Sequence, residues 1–256
     1  MEKGQSYELT IEDMSTAGQG IGRIDGLAVF VHGAVVGDVV KAELTKLKKN
    51  YAFGRLTEIL EPSVHRVKPS CLYFGDCGGC SLQAMGYEGQ LQWKKKMVED
   101  KLIRIGGIAN PTVHDTIGMD NPWRYRNKAQ FPVGMAAGES PEKSQVKAAV
   151  MEKKPAKFTG ATLKSNGVAS VGFYQAKSHQ VVNCNECLIQ SEPAEKLAQA
   201  LRKYMKDDHV SAYDEKTGKG LIRHLIVKTA FGTGEVMAIL VINGKGLPNG
   251  EKLVYM

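Results

Sequence analysis

The chain has 256 residues, 43% hydrophobic and 24% charged, a globular composition that argues against disorder and allows two domains of roughly 100–150 residues. No apolar run approaches the ~20 residues of a membrane helix, and the polar start Met1-Glu2-Lys3-Gly4-Gln5 lacks a signal-peptide core, so a cytoplasmic location without membrane contact is expected. The net charge of +7 and pI of about 9.0 point to a polyanionic partner such as nucleic acid, with a merely solvated cationic surface as the alternative.

Residues 5–61 read as short strands. Tyr7, Leu9 and Ile11 alternate with polar residues, the period of a half-buried strand. Residues 21–24 and 27–31 flank Asp25-Gly26, a tight-hairpin signal. Residues 39–47 and 51–60 are two more strand-like runs, closed by Pro62. Five short strands predict a small closed barrel of the OB type, and an SH3-like barrel of similar size fits equally well. Gly18-Gln19-Gly20-Ile21-Gly22 resembles a phosphate-cradling loop but precedes a strand, so a turn between barrel strands is expected instead.

Residues 87–105 predict a helix whose apolar face is Leu91, Val98, Leu102 and Ile105, with Lys94-Lys95-Lys96 pointing outward and Gly106-Gly107 as the stop. Strands are expected at 124–133 and 168–175, separated by a lysine-rich, mobile insertion at 136–167 that could sweep phosphates. A second helix is expected at about 191–206. Ser191 would cap it, Pro193 sits in its first turn, and Leu197, Leu201, Tyr204 and Met205 form its apolar face. Strands at 221–228 and 236–242 follow, and residues 247–256 read as the opening of a further helix. The series predicts an α+β domain.

The five cysteines are Cys71, Cys77, Cys80, Cys184 and Cys187. Their odd number and two-cluster placement fit a disulfide framework badly and point to metal binding or catalysis. Three thiolates from the tight loop Cys71-Leu-Tyr-Phe-Gly-Asp-Cys77-Gly-Gly-Cys80, plus a distant one, is a common way to hold a four-iron cluster. Gly75, Gly78 and Gly79 let the loop turn and leave amides near the sulfurs. The distant ligand would be Cys184 or Cys187. Because Cys77-x-x-Cys80 and Cys184-x-x-Cys187 form two pairs, a structural zinc remains an alternative. The scattered histidines show no metal or triad spacing. In Trp123-Arg124-Tyr125-Arg126-Asn127-Lys128 aromatic and basic side chains interleave, as in RNA readers that stack bases and hold phosphates; an ordinary strand with core aromatics is the alternative.

Taken together, these segments resemble the TRAM-containing ribosomal RNA uracil-5 methyltransferases. The residues that carry the resemblance are Gly18–Gly22 with Val29-Phe30-Val31 and Gly37-Asp38-Val39-Val40, the cysteine loop followed by Leu82-Gln83, Tyr87, Gln90 and Lys94, and Arg104-Ile105-Gly106. Tyr125-Arg126-Asn127-Lys128, Gly172-Phe173-Tyr174, Cys187-Leu188-Ile189 and Ile222-Arg223-His224-Leu225 complete it. The resemblance implies a mixed fold: an N-terminal five-stranded OB-like TRAM barrel (1–61), an iron–sulfur loop and helix (62–110), and an incomplete α+β central substrate domain (111–256). It implies a 4Fe–4S cluster on Cys71, Cys77, Cys80 and Cys187, with Cys187 preferred over Cys184 because Leu188-Ile189 follows it. It further implies RNA contacts by Arg124, Tyr125, Arg126, Lys128, Arg223 and His224, and RNA, 23S rRNA in particular, as the partner, with no obligate protein partner. The family reaction adds a cysteine thiolate to uracil C6 and methylates C5 from S-adenosylmethionine, on a base drawn out of its stack. No segment here matches the nucleophile or the cofactor loop. Both are expected beyond Met256, no catalytic or S-adenosylmethionine-binding residue is expected in this chain, and the chain alone is expected to transfer no methyl group. A noncatalytic RNA-binding protein with an iron–sulfur or zinc staple is the alternative. A radical methylthiotransferase fits less well because its cysteines follow a CxxxCxxC spacing, and an iron–sulfur DNA glycosylase because its four cysteines lie close together.

Overall fold

The computed structural model describes residues 1–137, 165–176 and 178–256. These form two compact units. The first comprises Met1–Gly75 and Cys80–Asp120; the second comprises Asp76–Gly79 and the described residues from Asn121 onward. Among the described residues no helix is long and apolar enough to cross a membrane.

The first unit opens with five strands, β1 (Ser6–Met14), β2 (Gln19–Ile24), β3 (Leu27–His32), β4 (Val39–Leu47) and β5 (Tyr51–Glu61). They close into a barrel in the order β1-β2-β3-β5-β4. The parallel pairing of β3 with β5 gives the OB-type closure and decides against the SH3-like alternative. Alternate side chains point inward, so Leu9, Ile11, Val29, Val31, Val40 and Leu44 fill the barrel. The β2–β3 hairpin turns on Asp25 and Gly26 with φ of 47° and 82°, the two positive values that a type I′ turn requires. The glycine run is not wholly a turn as expected. Only Gly18, at φ +75°, lies in the turn; Gly20 and Gly22 lie within β2. A Cβ on Gly22 would sit 2.5 Å from the Thr10 carbonyl oxygen, so the close approach of β1 requires glycine there.

A buried charge closes the barrel's base. Asp38 is fully buried and accepts hydrogen bonds from the Val35 amide (2.7 Å), the Ser63 amide (2.9 Å) and Arg66 Nη2 (2.5 Å). Arg66 Nη2 also donates to the Gly33 carbonyl at 2.8 Å. The pair therefore fastens the β3–β4 turn to the chain that leaves β5.

Helix α1 (Tyr87–Arg104) forms where expected but buries a different face. Val98 and Ile105 are exposed at 45% and 82%. Trp93 turns inward with Met97 against Met14, Val35 and Met85, and its indole N–H donates to the Met14 carbonyl. The larger apolar area of one indole outweighs the scattered aliphatic positions. Two of the three neighbouring lysines form ion pairs, Lys95 with Asp115 and Lys96 with Asp13 and Asp100.

Among the described residues the second unit is a five-stranded sheet in the order β10-β9-β6-β7-β8, covered by one α-helix. Its strands are β6 (Lys128–Ala137), β7 (Ser165–Tyr174), β8 (Val181–Asn183), β9 (Ile222–Thr229) and β10 (Val236–Ile242). Strand β6 begins four residues later than expected, because Arg124 takes a left-handed conformation with φ 57°. The strands reach Ala137 and resume at Ser165, so the expected insertion is narrower than 136–167, and its interior lies outside the described residues. The short strand β8 was not expected; three residues are too few for a periodic signal. Helix α2 (Glu192–Asp207) buries Ala194, Ala198, Leu201, Tyr204 and Met205 against Phe131, Val171 and Leu225. Ser191 occupies the N-cap position without capping, because its hydroxyl pairs with Thr229 Oγ1 at 2.8 Å. The expected final helix is a single 3₁₀ segment, Gly250–Val254.

Replacing Asp38 with Ala leaves the Arg66 guanidinium buried without its counter-charge. Denaturant unfolding of the variant is expected to show a loss of about 3–5 kcal/mol, the usual cost of breaking such a pair. A loss below about 1 kcal/mol, the scale of an exposed ion pair, would show that the pair does not hold the barrel.

Candidate cysteine site and nucleic-acid interface

Cys71 and Cys80 belong to the first unit and Cys77, Cys184 and Cys187 to the second. No disulfide joins any of the five. In the first unit the Cys71 amide donates to Gln83 Oε1 at 3.2 Å, and the Cys71 carbonyl receives the Phe74 amide.

In the second unit Cys77 sits on a short backbone bridge to Gln175, and the Gly78 amide donates to the Tyr174 carbonyl at 2.9 Å. A Cβ on Gly78 would stand 3.0–3.1 Å from the Tyr174 carbonyl and Ala176 backbone, so the loop packs this tightly only with glycine. The Gly79 amide points at Cys77 Sγ, 3.4 Å away. The Cys77 thiol is pushed down to about 7, first by a hydrogen bond from the buried Cys184, then by the Gly79 amide and the Arg126 charge, against opposing desolvation. The contact between Cys77 and Cys184 was not expected from spacing; strand β8, which the periodicity missed, delivers Cys184 to this position.

Cys187 is held by its backbone. Its amide donates to Glu195 Oε1 at 2.5 Å. Arg124 Nη1 reaches the same carboxylate at 2.5 Å and donates to the carbonyls of Cys187 (3.1 Å) and Gln190 (3.2 Å). Arg202 from α2 donates to Asn183 Oδ1 at 3.0 Å and to the carbonyls of Val171 and Cys184. Two guanidinium groups thus fix the segment that carries both distal cysteines. Among the described residues no three His, Cys, Asp or Glu side chains are grouped to hold a metal ion. What fits thiolate ligation is the donor chemistry: cysteine thiols free of disulfides and a glycine amide aimed at the Cys77 sulfur.

The residues expected to touch RNA divide by environment. Arg124 is committed to the Cys187 segment, and its side chain is only 30% exposed. Tyr125 and Lys128 are exposed. Arg126 is half-buried, and its amide donates to the Ile189 carbonyl at 3.0 Å. Arg223 lies 4.4 Å over the Tyr213 ring. Burial first, and then the Arg223 charge, hold the His224 imidazole below its usual pKa against the opposing Glu215 carboxylate.

The sequence reading missed a second patch, on the barrel. Phe30, Tyr51 and Phe53 contact one another with ring centroids 5.5–5.9 Å apart on the outer face. The adjoining β4–β5 hairpin carries the exposed Lys46, Lys48 and Lys49, none of which has an ion-pair partner among the described residues. Tyr51 and Phe53 lie two apart in a strand and so share a face, which was the available signal.

Comparison with known proteins agrees with this architecture. Residues 1–57 match the TRAM domain family. The chain is 39% identical over 254 residues to an uncharacterized RNA methyltransferase of Clostridium tetani, covering 99% of this chain and 49% of that protein. It is 44% identical over 251 residues to one from Caldanaerobacter subterraneus, with 98% and 49% covered. Residues 1–57 are thus similar to a TRAM domain, and the chain as a whole is similar to part of these RNA methyltransferases. It spans about half the length of the curated relatives it matches. Its fold is similar to that of the Pyrococcus abyssi tRNA (uracil-54, C5)-methyltransferase solved with S-adenosyl-L-homocysteine, with a TM-score of 0.62 and 20% identity over 96% of this chain and 48% of that one.

Arg124→Ala should loosen the Cys187 segment by about 2 kcal/mol, the scale of charged hydrogen bonds. Hydrogen exchange of the peptide spanning residues 184–190 is expected to accelerate by at least ~10-fold. Unchanged exchange there would contradict the role assigned to Arg124.

Proposed function

We propose that this chain is the RNA-recognising portion of an S-adenosylmethionine-dependent methyltransferase that forms 5-methyluridine in 23S rRNA. The observation that carries the reading is similarity over 98–99% of the chain to RNA methyltransferases. The choice of uracil C5 is supported by the motif resemblance and by the uracil-5 methyltransferase fold; the choice of ribosomal RNA rests on the motif resemblance alone.

In this reading the barrel binds single-stranded or loop RNA. Bases stack on Tyr51 and Phe53, and Lys46, Lys48 and Lys49 hold phosphates. On the second unit, the exposed Tyr125 and Lys128, with Arg126, Arg223 and His224, are the RNA contacts that the motif resemblance implies. Cys71, Cys77, Cys80 and Cys187 would hold a 4Fe–4S cluster. Such a cluster supplies a rigid four-thiolate staple, while Gly79, Arg124 and Glu195 orient the sulfur-bearing backbone. S-adenosylmethionine supplies the methyl group when bound, and neither its contacts nor the attacking thiolate is assigned to residues of this chain.

The test uses radiolabelled S-adenosylmethionine and unmodified 23S rRNA. A relative of full length should place label in uracil C5, while the 256-residue chain should place none. Label transferred by this chain and abolished by Cys184→Ala would overturn the assignment of roles. Failure of the full-length relative to modify uracil would overturn the choice of reaction.

A further inference from the structure

The sheet of the second unit has two unlike faces. One carries Phe131, Leu225 and Val227 into the core beneath α2. On the opposite face of β10, β9 and β6, the register sets Met237, Lys228 and Lys128 in one cross-strand row, and Ile239, Ile226 and Gln130 in the next. Met237 and Ile239 are 56% and 36% exposed, and Lys128, Gln130 and Lys228 are exposed as well.

Like charges placed directly opposite each other on a sheet repel. Neither Lys128 nor Lys228 has an ion-pair partner among the described residues, and Glu235, just before β10, accepts its hydrogen bond from Thr233. The face therefore combines an uncompensated pair of ammonium groups with the exposed apolar Met237 in the same row and Ile239, beside half-buried Ile226, in the next. An apolar partner would cover the second feature and leave the first desolvated and unpaired. A chain of phosphates bearing flat bases satisfies both.

We propose that this face binds single-stranded RNA, with a phosphate between Lys128 and Lys228 and bases lying over Met237, Ile226 and Ile239. The inference rests on the RNA reading above and deepens it, joining Lys228, Met237, Ile226 and Ile239 to Lys128 in one surface of the second unit.

The test uses the full chain and a fluorescein-labelled, unstructured RNA of about twelve nucleotides, within the length that one such surface spans. Lys128→Gln combined with Lys228→Gln should weaken binding by roughly 10-fold and flatten the salt dependence by about one unit of slope. RNA carrying 4-thiouridine should crosslink, on illumination, to peptides from β6, β9 or β10 of the unaltered protein. If Tyr51→Ala weakens binding while the double lysine variant and the crosslink map show nothing, the RNA reading stands and this face is not part of it. If the unaltered chain binds no RNA, both readings fail. A dimer dissolved by Met237→Lys would give the face to a second copy of the chain and overturn the proposal.

Discussion

The distal cysteine segment depends on Arg124. One guanidinium joins the Glu195 carboxylate to the carbonyls of Cys187 and Gln190, and Glu195 in turn takes the Cys187 amide. The geometry requires Arg124 itself to adopt a left-handed backbone, which costs of order 1 kcal/mol or more for a residue with a Cβ. The charged hydrogen bonds, each worth about 1.5–3 kcal/mol, outweigh that strain. Lysine could not reproduce the arrangement, because its single ammonium lacks the planar fork that reaches several acceptors at once.

That commitment changes how the basic residues should be counted. A net charge of +7 suggests a general affinity for polyanions, yet many of the cations are already used. Arg66 is neutralised by Asp38 and Lys95 and Lys96 by aspartates, while Arg202 has its donors taken up by backbone carbonyls. Among the described residues, Lys46, Lys48 and Lys49 on the β4–β5 hairpin and Lys128 and Lys228 on the open sheet face are cations without an ion-pair partner. Both places also expose apolar or aromatic side chains. Phosphate attraction alone would be sequence-independent and easily screened by salt, whereas stacking beside it gives each contact a base component.

The barrel was legible because its strands alternate and its turns carry their own chemistry. The period of Tyr7, Leu9 and Ile11 gives β1, and Asp25-Gly26 gives the hairpin. Its closure was not legible, since the parallel pairing of β3 with β5 joins residues far apart in the chain. Helix α1 was legible as a helix and misread as to face, because aliphatic positions were weighed above one indole. The cysteine loop stood out by spacing and glycine content. The neighbourhood of Cys184 did not, because it depends on β8, a strand too short to show a period. Arg124 read as an RNA contact from its aromatic and basic neighbours. No local pattern shows that its partners lie more than sixty residues ahead.

The claim on which the account turns is that the cysteines of this chain hold an iron–sulfur cluster, with Cys187 rather than Cys184 as the distal ligand. Iron and acid-labile sulfide analysis of anaerobically purified protein, together with its Mössbauer spectrum, tests it most directly. The account predicts about four irons per chain, as a four-thiolate cluster requires, lost in Cys187→Ser and retained in Cys184→Ser. A colourless protein with a single zinc, or a cluster lost in Cys184→Ser and retained in Cys187→Ser, would contradict it.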